Sequence, residues 1–262
     1  MNKIKLMISN LQETNPLLYE YLQTLTGPVD DFWEEHILTA NIYLIRENDE
    51  SIGCFAVHNH EKITMFYIRP AYIRRAQDIF KKILSEFNVQ TAFVATCDRL
   101  FLNLCMDFHK KIELSAYFFK YGSFAVRPPE YPRELLKVAV PCDEKDILDK
   151  EGVDEKIALG KYYVMRENGV FLGQGFFNKL ELIPNAASIG MHVHPDFRRR
   201  GVGRSIILHL ANICHEKRIT PYCGCWYYNH NSKATLESAG FAAQTRLLHV
   251  FFTNEYGGNA ND

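Results

Sequence analysis

The chain has 262 residues, 30 Lys or Arg against 31 Asp or Glu, a net charge of −1, and 47% hydrophobic residues. That is enough for one large or two small globular cores, and it excludes a global basic field that would draw the chain to nucleic acid or membrane surfaces. No apolar run reaches the ~18 residues of a membrane span, and the N-terminus lacks a signal-peptide pattern. The seven cysteines are Cys54, Cys97, Cys105, Cys142, Cys214, Cys223 and Cys225. Their odd number and scattered spacing suit reduced thiols and a cytoplasmic location. Cys223-Gly-Cys225 has no second pair to complete a metal site and reads as core, so no metal is expected.

In chain order, "NPLLYEYLQTL", with an Asn cap before its Pro, and "VDDFWEEHILT" read as helices. "NIYLIRE", "SIGCFAVHN" and "KITMFYIRP" read as successive strands with short polar turns. "RRAQDIFKKILSEFN" has helical apolar spacing, and "TAFVATC" is a buried strand. "VRPPEYPRE" (126–134) carries three prolines, which disfavour helix and sheet interiors, and marks a boundary. It divides the chain into domains 1–125 and 126–262. Beyond it, "KYYVMRENGVFLGQGFFN" reads as a hairpin, "AASIGMHVHP" as a strand and "GVGRSIILHLANICHEK" as a helix. "TPYCGCWYY" reads as a strand, "NSKATLESAG" as a short helix and "TRLLHVFF" as a last strand. Hairpins alternating with helical crossovers imply an α/β fold with a mixed sheet and helices on its faces.

The two halves echo each other. "YLIRENDESIG" (43–53) matches "YVMRENGVFLG" (163–173), and "FYIRPAYIRRAQDIF" (66–80) matches "HVHPDFRRRGVGRSI" (192–206). "YFF" (117–119) matches "VFF" (250–252). Three matches in one order point to a duplicated unit.

The stretch "HPDFRRRGVGRS" (194–205) places three arginines and Gly-Val-Gly at the entrance of a helix. A helix N-terminus presents unpaired N–H groups and partial positive charge. Glycines allow a phosphate to approach the backbone, and arginines add donors. The pattern therefore reads as a polyphosphate cradle. It is neither a P-loop nor a dinucleotide fingerprint.

Arg198-Arg-Arg-Gly201-Val-Gly203 resembles the Arg/Gln-x-x-Gly-x-Gly/Ala loop of the GCN5-related N-acetyltransferase (GNAT) superfamily. "IGMHVHPDF" is similar to the family's fourth strand, and Asn229-His-Asn-Ser232 followed by Gly240-Phe241 is similar to its second motif. The resemblance covers roughly residues 160–252. It implies two tandem acyl-CoA N-acyltransferase-like units, with acetyl-CoA as co-substrate in the second.

On that resemblance, the amides and side chains of Arg198, Arg199, Arg200, Gly201, Val202, Gly203 and Arg204 would hold the pyrophosphate. The backbone near Val193 would hold the pantetheine, and Asn229 would contact the cofactor arm. Ser232 would begin the next helix, as a cofactor contact or simply as its N-terminal cap. An amine would attack the thioester directly, with a base to take its proton and an acid for the leaving thiolate.

The chain departs from the family at both usual positions, which are Leu236 and Ala187. By strand alternation Ala187, Ile189 and Met191 share one face, and His192 takes the opposite parity unless a bulge re-aims it. Candidates for the proton transfers are His192 and Glu181 as base and Tyr228 or Tyr227 near the sulfur. The same alignment puts Ala76 and Asp78 where Gly201 and Gly203 stand, and finds no Asn-x-x-Ser in "TCDRLFLNLCMDF". The first copy therefore reads as a degenerate unit that does not bind the cofactor, serves structurally and walls the acceptor cleft.

The reading that follows is an N-acetyltransferase acting on a small-molecule or peptide amine, as a monomer or homodimer, without nucleic-acid or membrane partners. The alternative is a non-catalytic acyl-CoA binder or sensor.

Overall fold

A computed structural model describes residues 3–122, 125–148, 150 and 152–253. Its elements are β1 (Ile4–Ser9), α1 (Leu11–Leu22), α2 (Asp31–Leu38), β2 (Asn41–Glu47), β3 (Glu50–His58), β4 (Lys62–Ile68), α3 (Ala76–Glu86), β5 (Thr91–Ala95), α4 (Arg99–Phe108) and β6 (His109–Tyr121). There follow β7 (Leu136–Val138), α5 (Val153–Ala158), β8 (Tyr162–Glu167), β9 (Val170–Lys179), β10 (Ala186–Val193), α6 (Val202–Glu216), β11 (Thr220–Trp226), α7 (His230–Ser238) and β12 (Phe241–Phe252). The fold is α/β with mixed strand directions, as the alternation of hairpins and crossover helices implies.

Contacts divide the chain into two compact units. One gathers the described residues of Met1–Gly27, Phe32–Ala116 and Thr245–Asp262; the other gathers Pro28–Asp31 and Tyr117–Gln244. The first unit runs β1-β2-β3-β4-β5 and is completed by β12, whose Leu247 to Phe251 pair antiparallel with Ala95 to Thr91. The second runs β11-β10-β9-β8-β7, with β6 beside β11. The repeated "YFF" and "VFF" segments are thus the strands exchanged in sequence order. The first unit is closed by a strand from the far end of the chain, and the second by a strand from its middle.

Each unit has a core of its own. In the first, α3 buries Ile79, Phe80, Ile83 and Leu84, and α4 buries Phe101, Leu104, Cys105 and Phe108. This spacing lays one apolar stripe per helix on the sheet. In the second, α6 packs Ile206, Ile207 and Leu210 against Ala187, Ile189 and Met165.

Helix α1 begins earlier than its composition suggests. Asn10, not Asn15, is the cap and accepts from the Glu13 amide at 2.9 Å, so Pro16 falls inside the helix. The cap and the buried Leu17, Leu18 and Tyr21 outweigh the missing donor.

Two buried charges shape the units. In the first, the Asp98 side chain caps α4 by accepting from the Phe101 amide at 3.2 Å and accepts from the Tyr21 hydroxyl at 2.9 Å. Burial pushes its carboxyl up to about 7, against the opposing pull of those two donors. In the second, Arg204 in the first turn of α6 is 3% exposed. Its Nε donates to Glu130 Oε2 at 3.1 Å, its Nη1 donates to the Arg127 carbonyl at 2.7 Å, and its Nη2 donates to the Pro128 carbonyl. Ser205 Oγ accepts from the Tyr131 amide at 3.1 Å. The proline-rich segment is therefore strapped along α6 rather than free. At Glu130, burial pushes the carboxyl up, but the Arg204 hydrogen bond and the two neighbouring guanidinium charges outweigh it and hold it below the usual range.

Both buried charges yield stability predictions. A carboxyl whose folded value is raised supplies stability at low pH that is lost as pH climbs through about 7. Asp98→Asn keeps the cap and removes that loss, so its melting temperature should exceed wild type by more at pH 8 than at pH 5, a differential on the order of 2 kcal/mol. Equal shifts at both pH values would refute the assignment. Glu130→Ala should cost about 2 kcal/mol in denaturant unfolding by leaving the buried guanidinium without its counter-charge, and Glu130→Gln should cost less.

Candidate active site

The arginine-glycine loop enters α6 on left-handed backbone. After a turn at Pro195–Phe197, Arg199 (φ 60°) and Gly201 (φ 81°) adopt left-handed backbone, and α6 starts at Val202. The Ser205 amide makes the first helical bond, to the Gly201 carbonyl at 2.9 Å. The amides of Val202, Gly203 and Arg204 precede it and have no helical acceptor. Their dipoles and the exposed side chains of Arg198, Arg199 and Arg200 give the loop strong positive character. Arg200 lies 5.5 Å over the Phe197 ring, and Arg198 Nε donates to the Val193 carbonyl at 3.4 Å.

The glycines have a second reason that the sequence did not disclose. A Cβ at Gly201 would fall 2.3 Å from the Glu130 carboxyl carbon, on backbone where only glycine is unstrained. A Cβ at Gly203 would meet Val193 Cγ2 at 3.1 Å and Thr235 Cγ2 at 3.2 Å, so this glycine seats α6 on β10 and α7. Arg204 also differs from its expected role. Its side chain is consumed by Glu130 and the two carbonyls, leaving only its backbone amide for an anion.

A slot opens beside the loop. Strands β10 and β11 pair in parallel only at Ala186↔Thr220, Ala187↔Pro221 and Ser188↔Tyr222. Beyond that point the ladder stops, and the β10 backbone up to Val193 loses its neighbour on that side. Such peptide groups suit an extended amide-bearing arm such as pantetheine. On its other edge β10 pairs with β9 without interruption from Ala187↔Lys179 to Val193↔Gly173. No bulge re-aims His192, which is exposed on the face opposite Ala187.

Just past the end of β11, Tyr228 is 55% exposed; its carbonyl accepts from the His230 amide at 3.0 Å, and its hydroxyl has no hydrogen-bond partner among the described residues. Its ring meets Trp226 edge-on at 5.1 Å, while Tyr227 stacks on Tyr117 at 4.6 Å and is spent on packing. Asn229 is the cap of α7, its Oδ1 accepting from the Ser232 amide at 3.0 Å. This corrects the reading of Ser232 as cap: Ser232 is the residue capped, and Asn229 keeps its Nδ2 for another acceptor. Leu236 and Ala187 are buried, and Glu181 lies exposed in the turn after β9. Burial pushes the Cys225 thiol up to about 11 and Cys223 higher still, so neither offers a thiolate nucleophile near neutral pH. Among the described residues no His, Cys, Asp or Glu group is arranged to hold a metal ion, and no helix is long and apolar enough to cross a membrane.

The first unit repeats this geometry with different chemistry. Its β4 and β5 pair only at Lys62↔Thr91 and Ile63↔Ala92 before the ladder stops. Helix α3 places Asp78 in its first turn. Arg69 is held by Glu20, at 2.9 and 3.1 Å, and by Glu50, and Arg75 pairs with Glu47. Asp98 stands where Asn229 stands in the second unit, capping the following helix. Sequence reading passed over it because it sought Asn-x-x-Ser; an acidic cap ahead of the apolar run "LFLNLC" was the available signal.

Two family models match the chain: an acetyltransferase (GNAT) domain over residues 10–122 and the acetyltransferase (GNAT) family over residues 128–241. Among solved structures, a GNAT-family acetyltransferase from Colwellia psychrerythraea superposes with a TM-score of 0.84 at 18% identity, covering 96% of this chain and 100% of that one. A tandem GNAT protein from the clavulanic acid biosynthesis pathway, solved without AcCoA, gives 0.58 at 13% identity, covering 95% and 98%. A GCN5-related N-acetyltransferase from Sphaerobacter thermophilus gives 0.62 at 12% identity, covering 95% of each. At these identities the likeness is one of fold. No functionally curated sequence matches. With both family models matched in series and each unit carrying the parted parallel strands, the chain belongs to the GNAT acetyltransferases as two GNAT domains in tandem.

Proposed function

We propose that the second unit transfers an acetyl group from acetyl-coenzyme A to a primary amine of a small molecule or peptide, by direct attack of the amine on the thioester. The carrying observation is the left-handed loop at Arg199 and Gly201, which carries three exposed arginines into a helix terminus with three amides lacking helical acceptors, following the strand β10 that parts from β11. Acetyl-coenzyme A supplies the activated acyl group; the chain's part is to hold and orient it. The loop amides and Arg198, Arg199 and Arg200 bind the phosphates, the freed β10 backbone near Val193 holds the arm, and Asn229 Nδ2 contacts it. Orientation of this kind accounts for much of the rate of a bimolecular transfer. In this reading the Tyr228 hydroxyl, exposed just past the end of β11, protonates the leaving thiolate, and His192 takes the proton from the amine.

The first unit does not share this role. Its helix terminus carries a carboxylate, two of its arginines are neutralised internally, and its counterpart of Asn229 is bonded to Tyr21. It acts as a structural partner. A second reading, an acyl-CoA sensor, is favoured by one observation: the positions where relatives carry acid and base, Leu236 and Ala187, are buried apolar core.

Calorimetry with acetyl-coenzyme A tests the binding half. Arg199→Glu and Arg200→Glu lie on the surface and should leave the fold intact while weakening binding at least about tenfold, more at low salt. Arg74→Glu in the first unit should leave it unchanged. No binding to wild type, or equal loss from Arg74→Glu, would reject the assignment. Tyr228→Phe should then lower kcat about 100-fold with little change in binding. Binding of acetyl-coenzyme A with no release of coenzyme A when amines are added would favour the sensor.

A further inference from the structure

Strand β10 presents two faces. Ala187, Ile189, Met191 and Val193 pack toward α6. Ser188, Gly190 and His192 lie on the other, opposite Asn178, Phe176 and Gln174 of β9. On this second face Phe176 covers Gly190, where a Cβ would come within 2.2 Å of the ring.

The segment Pro28–Asp31 belongs to the same unit. Asp31 Oδ1 accepts from Ser188 Oγ at 2.6 Å, and Oδ2 accepts from Asn178 Nδ2 at 2.7 Å. Next to it, buried Asp30 fills the space over Gly224 so closely that a Cβ there would sit 1.8 Å from Oδ2. Ser188 is the last β10 residue paired with β11, and Gly224 lies just past the last paired residue of β11. The Asp31 carboxylate is thus held at the root of the slot.

Both donors to Asp31 are neutral, and no Lys or Arg among the described residues pairs with it. Each oxygen keeps lone-pair capacity for a further donor. A half-buried, uncompensated carboxylate here attracts a cation. It is poorly suited to the attacking nitrogen, because a carboxylate in contact with an ammonium holds the proton on it, whereas attack requires the free amine. The nitrogen it binds is therefore a second one. Four residues of strand separate Ser188 from His192, a span of roughly 13 Å, which an aliphatic diamine or short polyamine fits.

Resting on the acetyltransferase reading above, we infer that the acceptor is a dicationic aliphatic amine and that Asp31 binds the ammonium that stays protonated. Asp31 is a substrate-positioning residue, and Ser188 and Asn178 orient it.

The test compares 1,8-diaminooctane, whose nitrogens can span the strand between Ser188 and His192, with 1-aminooctane as acceptors for wild type and Asp31→Asn, with calorimetry of 1,8-diaminooctane in the presence of coenzyme A. Wild type should prefer the diamine by about 30-fold in kcat/KM, the size of one charged hydrogen bond. Asp31→Asn should erase that preference through KM, with acetyl-coenzyme A affinity unchanged. Equal use of the two amines by wild type, or a preference surviving Asp31→Asn, would overturn the proposal whether or not the variant folds well. If no amine is acetylated, the acetyltransferase reading fails by itself; the calorimetry still decides for or against a diamine site at Asp31.

Discussion

A guanidinium buried in the first turn of a helix must find its partners locally, and Arg204 finds them in Glu130 and two carbonyls of the proline-rich segment. That requirement places the rest of the site. It fixes the segment along one side of α6, forces Gly201 to lack a side chain where Glu130 lies against it, and leaves Gly203 to close the opposite side on Val193 and Thr235. With both sides of the first turn occupied, its amides are left to the loop end, under the exposed Arg198, Arg199 and Arg200. One arginine is spent on architecture so that three remain for solvent and anions.

The two copies carry different charge at the same place in one fold. Both have parallel strands that part after two or three residue pairs. In the second unit the first turn of α6 carries no acidic residue, and among the described residues the exposed Arg198, Arg199 and Arg200 form no ion pair, Glu130 being taken by Arg204 and Arg127. In the first, Asp78 enters the first turn, Glu20, Glu50 and Glu47 neutralise Arg69 and Arg75, and Asp98 is buried under the Tyr21 hydroxyl. A polyphosphate needs uncompensated positive charge and open donors. The first unit keeps the backbone path in outline, but Asp78 in the turn and the pairing of Arg69 and Arg75 with acids lower its positive charge.

Much of this was legible in the residues. Period-two and helical patterns located β2 to β5, α3 and β8 to β12 because each element buries one face on its own unit's core. The Arg-Gly loop was readable because left-handed backbone before a helix strongly selects glycine. Less legible were the N-cap of α1, the short β7 and α5, and the cap of α7, where Asn229 rather than Ser232 accepts the hydrogen bond. Local competition between equally good capping residues is settled by packing, which the string of letters does not contain.

The sequence by itself determined the tandem duplication, the α/β alternation, the arginine-glycine loop and its replacement by Ala76 and Asp78 in the first copy. These depend on local periodicity, backbone conformation and side-chain charge, all of which act over a few residues. Only the tertiary structure decided that residues 245–252 complete the first unit while 117–121 serve the second, that Arg204 is internal, and that Asp31 meets Ser188 and Asn178. Those are contacts between residues more than seventy positions apart. They arise because a closing strand needs any compatible edge and a buried polar atom needs any available partner, and neither demand leaves a periodic trace in the chain.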